Sequence, residues 1–171
     1  MGPGGQDTRY AQASAAHAPA IARLARAVEA NPEQARDLEQ EIHVALWRSF
    51  ARFDGACAVS TWVYRVAHNV AASHVARSSR RAKLVGLDAA DALLAADDPE
   101  AEVGQAQLLA RLNALIRALE PPDRQVILLY LEGLDAASIA DVTGIARGTV
   151  SVKVHRIKAL LARRFRSEEQ A

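Results

Sequence analysis

The sequence predicts an all-α protein: two small helical domains joined by a flexible acidic linker, the C-terminal one containing a helix-turn-helix. Three observations predict it. Alanine, leucine and valine are abundant, glycine and proline number only 9 and 6 in 171 residues, and long stretches lack the period-two alternation of a half-buried strand. Apolar residues recur instead at three- and four-residue steps, on both sides of one interruption. That interruption, residues 84–103, is rich in alanine and aspartate, contains Pro99, and has little large apolar surface beyond Leu84, Val85, Leu87, Leu93 and Leu94. It is expected to form at most transient helix.

Residues 1–8 are glycine-rich and polar and are expected to be disordered, so the first domain spans 9–83. From Tyr10 the pattern is helical, with Ile21, Leu24, Ala25 and Val28 on one face. Asn31-Pro32 breaks this helix and starts the next, Asn31 as cap and Pro32 at the first position. Leu38, Ile42, Ala45, Leu46 and Phe50 form the second stripe, and Arg52-Phe53-Asp54-Gly55 reads as a turn. Ser60 or Thr61 can cap a third helix, whose Trp62, Val63, Val66, Val70 and Val75 face inward and whose Arg65, His68, Asn69 and Ser73 face outward. The second domain, 104–171, opens near Gly104 with Leu108, Leu112, Leu115, Ile116 and Leu119 in phase. Pro121-Pro122 ends that helix and begins one carrying Val126 to Leu131; Gly133 ends this in turn, and Asp135 can cap the next.

Composition removes several classes of function. Cys57 is the single cysteine, which excludes an intramolecular disulfide or a cysteine metal cluster and fits a reducing cytoplasm. No apolar run approaches the ~18–20 residues of a membrane span and the start has no signal-peptide core, so a cytoplasmic protein with no membrane insertion of its own is expected. The five histidines show no metal-ligand spacing with acids or cysteine, and no glycine-rich phosphate loop precedes a helix. No metal, cofactor or catalysis by this chain is expected. The formal net charge of +1 conceals segregation: Arg77, Arg80, Arg81 and Lys83 form one basic cluster, and Arg147, Lys153, Arg156, Lys158, Arg163, Arg164 and Arg166 another, with Asp88, Asp91, Asp97, Asp98, Glu100 and Glu102 between them. Such clusters are either solvated helix faces or two places to hold a polyanion.

Residues 136–156, AASIADVTGIARGTVSVKVHR, decide between these readings for the second cluster. Ile139, Val142, Ile145, Val150 and Val154 supply inward residues that lock two short helices, Ala140 is small where they cross, and Gly144 permits a left-handed turn. At ~100° per residue, Val150, Val154, Ile157 and Leu161 cluster on one side of the last helix, while Ser151, Val152, His155 and Arg156 project from the other. Arg147 and Lys153 flank that face, where cations reach phosphates and shorter side chains approach base edges.

Residues 119–165, LEPPDRQVILLYLEGLDAASIADVTGIARGTVSVKVHRIKALLARRF, resemble the C-terminal DNA-binding domain of extracytoplasmic-function sigma factors. DLEQEIHVALWRSFARFDG followed by STWVYRVAHNVAASHVARSSRR resembles the N-terminal domain of the same family. The resemblance implies an alternative sigma factor that binds core RNA polymerase, through the coiled-coil helices of its largest subunit and its flap region, and directs it to promoter DNA. It implies polymerase binding by Asp37, Gln40, Glu41, Val44 and Trp47, of which the first four also share a helix face by spacing. Phe53 to Ser60 matches the loop that captures a flipped base of the minus-ten element, with Trp62, Tyr64, Arg65, His68 and Asn69 beneath it. Unstacking a base costs roughly a few kcal/mol, so such a site needs polar groups for the base edge and cations for the strand. Asn69 fits the first need and Arg65, Arg77, Arg80 and Arg81 the second, while Trp62 suits a core position as well as a stacking platform. In the second domain the implied set, reading the minus-thirty-five element, is Arg147, Thr149, Ser151, Val152, Lys153, His155 and Arg156. Departures from the family's usual residues at Ser151, Val152, Ala146, His68 and Ser73 bear on which promoter is read. The family is often restrained by an anti-sigma factor. The chain ends at SEEQA, just past the last helix, so no ligand-sensing C-terminal domain is expected. The other reading is a sigma-like DNA-binding regulator or adaptor that does not itself support initiation.

Overall fold

Asn31 and Pro32 organise the first half of the chain. A computed structural model describes residues 3–85 and 104–169, and among these all regular structure is helical. Helix α1 (Pro3–Val28) ends just before Asn31, whose extended backbone (φ −74°, ψ 122°) opens α2 (Pro32–Ser49). Asn31 Oδ1 accepts from the backbone N–H groups of Glu33 at 2.9 Å and Gln34 at 3.1 Å, and Pro32 occupies a position whose missing N–H costs nothing. The short link returns α2 antiparallel along α1, so that Tyr10 meets His43 (3.1 Å) and Gln6 meets Trp47. Leu38, Ile42 and Leu46, four residues apart, are fully buried, and Ala13, Ile21, Leu24 and Ala25 are buried on α1. A single 3₁₀ turn, Phe50–Arg52, leads to Gly55 at φ +80°, and α3 (Val59–Val85) closes the unit with Val63, Ala67 and Ala71 in the core.

Three helix boundaries and the burial of one residue differ from the sequence expectation. Residues 3–8, expected to be disordered, are the first turns of α1, because their polar side chains find partners on α2: Gln6 Nε2 donates to the Trp47 carbonyl at 2.8 Å and Asp7 Oδ1 accepts from Trp47 Nε1 at 2.9 Å. Helix α3 begins before Ser60 and Thr61, with Trp62 N bonded to Ala58 O at 3.1 Å, so neither hydroxyl residue is the cap. It also runs to Val85, which makes Leu84 and Val85 helical, and the rest of the expected linker, 86–103, lies outside the described residues. Leu108, expected on the inward stripe, is 48% exposed on the first turns of its helix.

The chain divides into two compact units, Met1–Arg77 and Ser78–Ala171. In the second, α4 (Gln105–Arg117), α5 (Pro121–Leu131), α6 (Ala136–Thr143) and α7 (Arg147–Glu169) pack around Ile116, Ile127, Leu129, Ile139, Val150 and Ile157. Four consecutive residues of α5, Val126 to Leu129, are buried because α6, α7 and α4 all pack on it. Arg124 in its first turns donates to the last carbonyl of α4, Arg117 O at 2.7 Å, and to Leu119 O just past that helix at 3.0 Å, and Arg111 stacks on Phe165 with the guanidinium 4.2 Å from the ring centre. At the end of α5, Gly133 (φ +86°) donates to Tyr130 O and Leu134 to Leu129 O, the paired bonds of a left-handed glycine stop. Among the described residues no helix is long and apolar enough to cross a membrane.

Candidate functional site

Helix α2 buries Ala35, Leu38, Ile42 and Leu46, and this leaves Asp37, Gln40, Glu41 and Val44 exposed along the opposite side. Val44 and Trp47 are 48% and 42% exposed although both are apolar. Trp47 is held at two points: its indole N–H donates to Asp7 Oδ1 and its backbone carbonyl accepts from Gln6 Nε2.

Beside this strip an open groove of about 390 Å³ runs between Glu41, Val44 and Arg48 of α2 and Asn69, Val70 and Arg77 of α3. Arg77 Nη2 bonds Glu41 Oε2 at 2.7 Å across it, each side chain half exposed. Residues expected to serve two partners therefore line one groove. Arg65 is half-buried, Asn69 is exposed, and Arg80 and Arg81 are exposed farther along α3.

His68 is a correction. It was expected to face outward with the DNA-contacting residues, but it is 6% exposed, in the buried stripe with Val63, Ala67 and Ala71. The stripe takes the small alanines rather than Val66 and Val70, which are only half-buried, and this rotates His68 into the core. Burial lowers its pKa to about 4, so it is neutral near pH 7 and supplies no cation to a strand. Trp62 is half-buried, with its ring 5.3 Å from that of Phe53 and Nε1 donating to Ser49 Oγ at 2.8 Å. It packs on Phe53, at the start of the link to α3.

The helix-turn-helix forms as its residues require. Asp135 accepts from Ser138 N at 2.8 Å to start α6, and this bond holds its carboxyl below the usual range. Gly144 at φ +75° donates to Ala140 O, and Thr143 bridges the turn, donating to Ile139 O and accepting from Ile145 N. On α7, Val150 and Ile157 are buried, and Ser151, Val152, His155 and Arg156 are exposed, Val152 by 69%; Arg147 and Thr149 are exposed at its start.

Sequence reasoning missed two side chains on α5. Asp123 Oδ1 accepts from Lys153 Nζ at 2.7 Å and its Oδ2 from Arg156 Nη2. Tyr130 takes the next cation, Lys158, with the ammonium 5.1 Å from the ring centre. These partners are about thirty residues from the cations they hold, beyond the reach of helical spacing.

Comparison with known proteins agrees with this geometry. Residues 14–81 match the Sigma-70 region 2 family and residues 109–161 the Sigma-70, region 4 family. The chain is 30% identical over 141 residues to the ECF RNA polymerase sigma factor SigM of Mycobacterium tuberculosis, covering 82% of this chain and 69% of that protein. It is 30% identical over 135 residues to the ECF RNA polymerase sigma-E factor of Haemophilus influenzae, covering 73% and 71%. Of the SigE sigma factor of Mycolicibacterium smegmatis, 30% identical over 143 residues, it spans 55%. The fold is that of the sigma factor RpoE from Bartonella quintana, solved in complex with the anti-sigma factor NepR (TM-score 0.69, 20% identity, 89% of this chain and 93% of that one). Two regions matched in order, on a chain that covers more than two thirds of two of these relatives, place it: the chain belongs to the ECF RNA polymerase sigma factors.

Proposed function

We propose that this chain is an alternative sigma factor that binds core RNA polymerase and directs it to particular promoters, the polymerase supplying the chemistry in the cytoplasm. The observation that carries the reading is the pairing of two unlike surfaces on one chain. Region 2 offers an exposed acidic and apolar strip, and region 4 offers a recognition helix with its polar face outward.

Asp37, Gln40, Glu41, Val44 and Trp47 dock on the largest polymerase subunit, where apolar contact supplies affinity and charge supplies register. Asn69, with Arg65, Arg77, Arg80 and Arg81, meets the melted minus-ten strand, and the loop above Trp62 receives the extruded base. Arg147 and Thr149 position α7, and Ser151, Val152, His155 and Arg156 read the minus-thirty-five element. The layout is a docking and melting domain over 3–85, a linker over 86–103 and a reading domain over 104–171. An anti-sigma partner covering these surfaces fits the exposed apolar residues of α2, and the Bartonella quintana neighbour was solved with such a partner.

The test is transcription in vitro from a pool of promoter fragments, with core polymerase alone and with the full chain added. Discrete new start sites that require the chain are expected. A chain that binds polymerase yet yields no promoter-dependent transcript is an adaptor, and the reading fails.

A further inference from the structure

One carboxylate sits between two cations of the recognition helix. Asp123 stands in the first turn of α5, where the helix dipole favours an acid. Lys153 and Arg156 lie three residues apart on α7, so both reach the same point, and Asp123 gives one oxygen to each.

The three side chains differ in exposure, and that difference assigns their roles. Asp123 is 16% exposed and Lys153 26%, so this pair is largely withdrawn from water and the ammonium is committed to it. Arg156 is 62% exposed. A guanidinium carries five N–H donors in one plane, and the bond to Asp123 engages one nitrogen, Nη2, leaving donors for a base edge. The anchor lies on a different helix, so it limits the rotamers of the long arginine stem before any DNA arrives. A fork that is already oriented loses less entropy on binding the correct base. Lys158 is held in the same way by Tyr130 of α5.

The same carboxylate acts on the long-range field. A cation that neutralises a phosphate adds to affinity for every sequence and to its salt dependence, and contributes nothing to discrimination. Cancelling that charge on the reading face suppresses wrong sequences.

We propose that Asp123 is a specificity-determining positioning residue, which presets the Arg156 fork for base reading and keeps Lys153 from serving as a general phosphate contact. The proposal rests on the reading of α7 as the DNA-reading helix.

The experiment uses the full chain assembled with core RNA polymerase. The probes are a promoter duplex selected by the wild-type complex from a pool randomised in the upstream element, and the same duplex with that element scrambled, each titrated across a salt series. For D123N, which keeps the shape and removes the charge, affinity for the scrambled duplex should rise and its salt slope steepen by roughly one. The selected-to-scrambled ratio should fall roughly five- to tenfold, part of the discrimination of one arginine–guanine contact. D123E, which restores the charge, should recover most of the ratio. K153M provides an independent arm if D123N does not fold: a withdrawn ammonium predicts an unchanged slope on both duplexes, whereas a slope lowered by about one on both would make Lys153 a phosphate contact and overturn the proposal. An unchanged ratio and slope for folded D123N, or equal loss on both duplexes, overturns it as well. If the wild-type complex itself fails to discriminate, the sigma-factor reading falls and takes this proposal with it. Discrimination by wild type with no effect of D123N sinks this proposal alone.

Discussion

His68 is an ionisable side chain placed among alanines and valines in the core of region 2. With its pKa depressed from 6.5 to about 4, the unfolded chain binds a proton that the folded chain refuses between those two values. Stability is therefore complete above about pH 6.5 and declines as pH falls toward 4, by a total on the order of 3 kcal/mol. Denaturant unfolding of the full chain at a series of pH values, wild type against His68→Gln, should show the wild type losing that increment and the variant not; parallel curves would remove His68 as the cause. The sequence misplaced this residue for a physical reason. In an alanine-rich helix the buried stripe is set by close approach as well as by hydrophobicity, and Ala67 and Ala71 won it over the larger Val66 and Val70. The exposed strip from Asp37 to Trp47 was legible because helical spacing alone determines which residues lie opposite Leu38, Ile42 and Leu46. Asp123 was not legible, since its role exists only once α5 is packed on α7.

Helix ends follow the same division. Asn31, Gly133, Asp135 and Gly144 act as their chemistry demands, each through a bond within a few residues, and Pro32 through the N–H it lacks. Gly144→Ala meets no atom within 4 Å, so its cost is that of the left-handed backbone alone, about 1–2 kcal/mol of stability in region 4 by thermal or denaturant unfolding; no loss would mean that the turn can relax. The start of α1 was missed because what orders Gln6 and Asp7 is Trp47, forty residues away. The Asp7 bond holds the indole of Trp47, which is exposed on α2 near Val44. Asp7→Ala should weaken binding of the full chain to core polymerase roughly three- to tenfold, the share of one hydrogen bond of about 0.5–1.5 kcal/mol. Titration of labelled chain with core enzyme measures it, and unchanged affinity would make the contact a local ornament of α1.

At the scale of the whole chain, a formal net charge of +1 says little, because acids and bases are assigned to different tasks. Some cations are already paired: Arg77 with Glu41 across the α2–α3 groove, Lys153 and Arg156 with Asp123, and Lys158 with Tyr130. The carboxylate pairs lower the pull on arbitrary polyanions while leaving oriented donors in place, and Tyr130 orients Lys158 without cancelling its charge. Arg163 and Arg164 differ from them in position, lying exposed on α7 beyond the turn of helix that carries Ser151 to Arg156. From there a side chain reaches the phosphate backbone and not the base edges read by the N-terminal turns of a recognition helix. The double variant Arg163→Gln, Arg164→Gln, assembled with core polymerase, should therefore lose affinity for selected and scrambled duplexes by the same factor. Its salt slope should drop by about two, near 0.9 for each phosphate no longer neutralised. Arg156→Ala should behave oppositely, costing roughly 1–3 kcal/mol on the selected duplex and much less on the scrambled one. If Arg156→Ala reduced both alike, the residue would be a phosphate contact, and sequence reading would have to rest on Ser151, Val152 and His155 alone.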